Sequence, residues 1–118
     1  MFAAINNINN SVYDPFNFHD GYSPFYFPIM IKENKIKCSV VEFSNALNAE
    51  GIGLGVKYGC LVSTWNWCKN IMYDDFISTN ALSARDRCFH LYVNEKYGSR
   101  EIEDIRKAMI KVQNFYLK

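Results

Sequence analysis

Across Gly51 the spacing of apolar residues changes period, and no other feature of the chain constrains the fold as tightly. In SVVEFSNALNAE, residues 39–50, the apolar residues Val40, Phe43, Ala46 and Leu47 recur three or four apart, which is one stripe on a helix. Ser39 and Glu42 stand at capping-box spacing, where a serine hydroxyl accepts from the backbone three residues on and the glutamate reaches back. In GIGLGVKYG, residues 51–59, Ile52, Leu54, Val56 and Tyr58 alternate with Gly53, Gly55 and Lys57, the period of a strand with one nearly bare face. Gly51 stands where a helix ends on a left-handed residue. A helix with one apolar stripe running straight into a strand with one apolar side buries both by packing a helix layer on a sheet.

The rest of the chain fits that plan. PFYFPIMIKE, from Pro24, is an apolar run of strand length, and Pro28 within it suggests an edge position or a bulge. Residues 60–76, CLVSTWNWCKNIMYDDF, show no clean period and read as an ordered loop with one short helical turn. Thr79 is placed to cap a short helix through Cys88, with Ala81, Ala84 and Cys88 inward. Phe89–Val93 reads as a third strand. Ser99 then caps the most amphipathic helix, where Ile102, Ile105, Met109, Val112 and Tyr116 share a stripe and Glu103 can pair with Lys107. Residues 1–23, with INNINN and turn signals at Asp14-Pro15 and Asp20-Gly21, read as a lead-in to a single domain over residues 24–118. The expected class is α+β, a two-layer sandwich in the order β-α-β-loop-α-β-α.

The glycines invite a nucleotide-binding reading, which their context excludes. A dinucleotide fingerprint runs from strand through G-x-G-x-x-G to helix, because the helix N-terminus holds the pyrophosphate. Here the order is helix, G-x-G-x-G, strand, and Val56 stands where the third spacing needs glycine.

Other chemistries are equally sparse. Thirteen Lys and Arg against twelve Asp and Glu give a net charge of +1 with no run of like charge beyond two, so neither nucleic acid nor an anionic membrane is indicated as a partner. No apolar stretch reaches the roughly 18 residues of a membrane span, and a cytoplasmic protein is the expectation. Cys60, Cys68, Cys88 and His90 lack the paired spacing of a zinc clamp, so these three cysteines read as buried small hydrophobes, and all four cysteines, Cys38 included, read as reduced thiols. His19 and His90 have no nucleophile and orienting acid at a recognised spacing. Asp74-Asp75 reads as a pair of loop acids. No catalytic and no metal residue is expected.

Taken in order, ALNAEGIGLGVKYGCLVSTWNW, MYDDF, NALSARDRCFHLYVNEKYG and SREIEDIRKAMIKVQNF resemble the C-terminal small domain of pyridoxal-phosphate sugar aminotransferases of the DegT/StrS type, over roughly residues 24–117. Ala49-Glu50-Gly51-Ile52 is similar to the family's "KAEGI" phrase, and Val56-Lys57-Tyr58 to its "V-H-Y" loop, with lysine where members commonly carry histidine. Phe89–Val93 is similar to its last strand, and Ser99–Ile105 to the start of its terminal helix.

The resemblance implies the small domain of a fold-type-I aminotransferase acting on a nucleotide-linked keto-sugar. The intact enzyme would be a homodimer using pyridoxal phosphate. The large domain, with its Schiff-base lysine and phosphate-gripping groups, has no counterpart here, so the chain alone is expected to be inactive and to bind no cofactor by itself. Lys57, Tyr58, Trp65 and Trp67 are the candidates to line the substrate cleft, although the two tryptophans read equally as packing anchors. The alternative is a free-standing, non-enzymatic binding or interaction domain, since small α/β sheets host many functions.

Overall fold

Strict alternation along Tyr26–Ile31 (β2) turns Phe27, Ile29 and Ile31 into a buried row and leaves Tyr26, Pro28 and Met30 half-buried on the opposite side. The computed structural model describes residues 1–19, 21–73 and 77–118. Within them β2 pairs antiparallel with Tyr13–Pro15 (β1) on one side and with Cys88–Tyr92 (β4) on the other. The short strand Leu54–Gly55 (β3) completes the sheet against β4, in the order β1-β2-β4-β3.

Pro28 was expected at an edge or a bulge, and it stands instead in a strand paired on both sides. The register explains how. The Pro28 carbonyl accepts from Phe16 N–H at 3.1 Å, so the nitrogen side of that residue also faces β1. β1 ends at Pro15, and the missing donor therefore falls where the ladder has already stopped.

The helix layer covers the face made by Phe27, Ile29, Phe89 and Leu91. Val40–Ala49 (α2) contributes Val40, Phe43 and Leu47, and Ser99–Tyr116 (α5) contributes Met109 and Val112, all in one buried cluster. Phe43 and Phe89 are fully buried, and truncating either to alanine should cost about 3–5 kcal/mol. At the start of α2 the Ser39 Oγ accepts from Glu42 N–H at 3.1 Å, half of the expected box. At its end Gly51 has φ +89°, Gly51 N–H donates to Asn48 O and Ile52 N–H to Leu47 O. That is the Schellman arrangement in which a left-handed residue closes the last turn.

α5 starts one residue earlier than expected. Gly98 occupies the cap, its N–H donating to Glu101 Oε2 at 2.9 Å, and Ser99 is already helical. Glu103 pairs with Arg106, not Lys107, because the planar guanidinium reaches both carboxylate oxygens at 2.8 Å. Lys107 pairs with Asp104. The helix Thr79–Asp86, named α4 after the single turn Asn66–Lys69 (α3), stops before Cys88, which opens β4. Ser78 precedes it, and no side chain caps its first turn.

Residues 1–23, read from sequence as a lead-in, carry Phe2–Asn6 (α1) and β1 and pack into the same core. Ile5, Ile8, Val12 and Tyr13 are all buried. Gln113 of α5, itself 2% exposed, holds this segment at both ends of its amide. Its Oε1 accepts from Val12 N–H at 3.0 Å and its Nε2 donates to Asn9 O at 2.9 Å.

Candidate functional site

The second face of the sheet is only partly covered, and the candidate site lies there. Alternation in β2 and β4 sends Tyr26, Pro28, Met30, Cys88 and His90 to this face, where α4 borders them through Ala81, Ala84 and Arg85. The space between is a groove of about 560 Å³, whose lining also includes Phe16, Leu61 and Tyr58. Its volume is in the range of small-molecule sites, and its walls are mainly apolar with few polar groups. One carboxylate, Asp14, and one guanidinium, Arg85, lie along it, so the lining has no charge excess.

An aromatic cluster forms one wall. The Tyr26 and His90 rings lie 4.8 Å apart, Tyr58 stands 5.9 Å from Tyr26, and Tyr92 is set edgewise 5.8 Å from His90. The Tyr58 hydroxyl, by hydrogen bonding, holds the Tyr26 phenol above its ordinary range, with partial desolvation acting in the same direction. Desolvation pulls His90 below the ordinary imidazole range, so it is neutral near pH 7. Desolvation also raises the Cys88 thiol, whose Sγ donates to Phe89 O, so it is a poor nucleophile.

Gly55 explains the histidine's position. Gly55 and His90 are directly paired partners across β3 and β4, and the imidazole lies over the glycine Cα. A Cβ at residue 55 would collide with Nε2 and Cε1 of that ring. Gly53 differs, since a Cβ there would meet only Tyr92 Cδ2 at 3.6 Å, an ordinary contact. The bare strand face therefore admits a side chain of the next strand.

The expected strand over residues 52–58 is shorter than its alternation suggests, with only Leu54 and Gly55 paired. The chain then leaves the sheet, and Lys57 and Tyr58 separate. Tyr58 lines the groove. Lys57 points along the surface, its Nζ 3.4 Å from Asp86 Oδ1, and about half of its side chain is exposed. Arg85 Nε binds the same carboxylate at 3.0 Å and, with Lys57, holds Asp86 below the usual carboxylate range.

Trp65 and Trp67 form their own tilted pair, 5.6 Å between centroids, over a shallow surface depression. Trp65 Nε1 donates to Gly59 O at 3.2 Å, and Trp67 is 62% exposed. Of the four candidates, only Tyr58 lines the groove. Tyr26, Pro28 and Met30 join it from the outer positions of PFYFPIMIKE, whose alternation is the sequence signal for them, and His90 joins from β4, where no such signal marks it.

Among the described residues no three His, Cys, Asp or Glu side chains converge as a metal-binding group. Of Cys60, Cys68 and Cys88, expected as buried, only Cys68 is buried; Cys88 is half-buried and Cys60 exposed, so the three do not share one environment. Asp74-Asp75 lies outside the described residues. No helix among the described residues is long and apolar enough to cross a membrane. Among the described residues the groove lining includes no lysine, and Lys57 is about half exposed and paired with Asp86, so neither offers the desolvated pocket that a cofactor's imine lysine needs.

No protein-family profile matches the chain, and no curated protein sequence does. Solved structures match it. The apo form of Spr1654 from Streptococcus pneumoniae, a protein assigned by inference to the sugar aminotransferases, superposes with a TM-score of 0.69 at 17% identity over 97% of this chain. The PMP form of the same protein gives 0.67 at 16% identity over 95%. The chain spans 29% and 28% of the two matched chains. The shared feature is the fold: a small mixed α/β domain with a four-stranded antiparallel sheet, like one part of a sugar aminotransferase.

Proposed function

We propose that this chain serves as the small domain of a pyridoxal-phosphate-dependent aminotransferase of the DegT/StrS type acting on a nucleotide-linked keto-sugar. The observation that carries the reading is the superposition of nearly all of this chain, 97%, on 29% of a sugar aminotransferase chain. In this reading the cofactor supplies the amino-group chemistry from a separate large domain, within an enzyme that is a homodimer when complete. The chain supplies a wall of the cleft. Tyr58, Tyr26 and His90 face the substrate, the apolar lining excludes water, and Lys57 stays outside as a surface ion-pair partner of Asp86.

Cofactor trapping with and without a large domain tests the reading. The chain is expressed alone, and also together with a cofactor-binding large domain, and each preparation is treated with pyridoxal phosphate and borohydride. The expected result is a stoichiometric adduct on the co-purified partner and none on this chain. An adduct at Lys57 contradicts the proposal.

A further inference from the structure

The groove wall holds one polar side chain whose placement depends on an absent Cβ. Among the described residues neither nitrogen of His90 has a hydrogen-bond partner, so the neutral ring offers one donor and one acceptor. Gly55 backs the imidazole on one side and Tyr26 lies 4.8 Å away, with Tyr58 and Tyr92 set edgewise at 6.3 and 5.8 Å. A ring held this way is oriented before any ligand arrives. The balanced charges of Asp14 and Arg85 provide no excess to draw a phosphate, and Arg85 Nε is already committed to Asp86. What remains is aromatic surface for the C–H face of a ring, together with a fixed donor and acceptor for hydroxyl groups.

We propose that His90 is the hydrogen-bonding group through which this groove takes a neutral, hydroxyl-bearing ring, and that Gly55 is its positioning residue. The identification of that ring as a hexose rests on the sugar-aminotransferase reading. The placement of His90 by Gly55 does not. A side chain at residue 55 displaces the imidazole toward solvent and removes a hydrogen bond from the ligand while leaving Tyr26 and Tyr58 in place.

The test is side-chain NMR on the full chain, following the His90, Tyr26 and Tyr58 ring signals during titration with methyl β-glucopyranoside and, separately, uridine monophosphate. The glucoside is expected to move all three signals at saturation. Gly55→Ala is expected to shift the free His90 signals and to weaken glucoside binding about tenfold, the scale of one net hydrogen bond. Should Gly55→Ala not fold, His90→Gln and His90→Phe take its place: glutamine keeps a donor and an acceptor and retains most of the affinity, and phenylalanine loses about tenfold. Unmoved His90 signals at glucoside saturation overturn the proposal, as does a response to the nucleotide alone. Glucoside binding with no reconstituted aminotransferase would overturn the functional reading and leave the His90 site standing.

Discussion

The Tyr13 hydroxyl donates a 2.6 Å hydrogen bond to the backbone carbonyl of Met109, tying the first strand to the middle of the last helix across 96 residues of chain. Tyr13 is 2% exposed and stacks edgewise on Phe43 at 5.8 Å and Phe89 at 6.4 Å. Tyr13→Phe keeps the packing and removes only the hydrogen bond, so it should lower the unfolding free energy by about 1 kcal/mol. Deleting residues 1–12 should do far more, because Ile5, Ile8 and Val12 leave the core with it. Urea unfolding of the two variants checks the contrast.

Burial pushes the Tyr13 phenol far above its ordinary range, so it stays protonated in the folded protein while an unfolded chain ionises near pH 10. A folded-state pKa above the unfolded one gives a contribution that is complete below about pH 10 and declines as the pH rises past it. Stability should therefore fall above pH 10, and Tyr13→Phe should flatten that fall. Urea midpoints measured between pH 8 and pH 11 provide the comparison.

Two glycines in one phrase should fail differently. Gly51→Ala meets no atom within 4 Å but imposes φ +89° on a residue with a Cβ, for a cost of about 1–2 kcal/mol and no change at His90. Gly55→Ala forces the imidazole out, and His90 should then titrate closer to the ordinary value near 6.5, from which desolvation now depresses it. In the parent protein the linkage runs the other way from Tyr13: the His90 contribution is present above about pH 6.5 and is lost as pH falls through the lower folded value. Proton NMR of the His90 ring across pH 4–8 in both variants distinguishes the two failures.

Much of this fold is legible in the sequence where signals are local. The capping serine, the 0-3-6-7 stripe and the left-handed glycine of α2 all lie within thirteen residues, and each does what its spacing implies. The N-terminal segment offers no such signal. α1 is five residues long without a side-chain cap, β1 is three residues ending in proline, and what fixes both is Gln113 and Met109 about a hundred positions away.

The groove was hidden for the same reason. Tyr26 and His90 become neighbours only when β2 pairs with β4, and the glycine that admits the histidine belongs to a third strand. Lys57 follows the glycines in sequence, yet the chain leaves the sheet after β3 and hands it to Asp86.

Lys57→Gln should accordingly leave the urea midpoint unchanged within error, since both members of the pair are about half exposed and such surface pairs contribute little. The same variant should leave amino transfer by the reconstituted enzyme unaltered. A loss of turnover comparable to that of His90→Phe would move the substrate wall to the Lys57 side of the domain.

The central claim is that this chain completes an aminotransferase whose chemical half lies in another domain. Its most direct measurement follows 15N from labelled glutamate into a nucleotide-linked keto-sugar by mass spectrometry, using the chain alone, a cofactor-loaded large domain alone, and the two together. Label in the sugar only when both are present is the predicted result. Transfer by this chain alone, or equal turnover by the large domain without it, would contradict the claim.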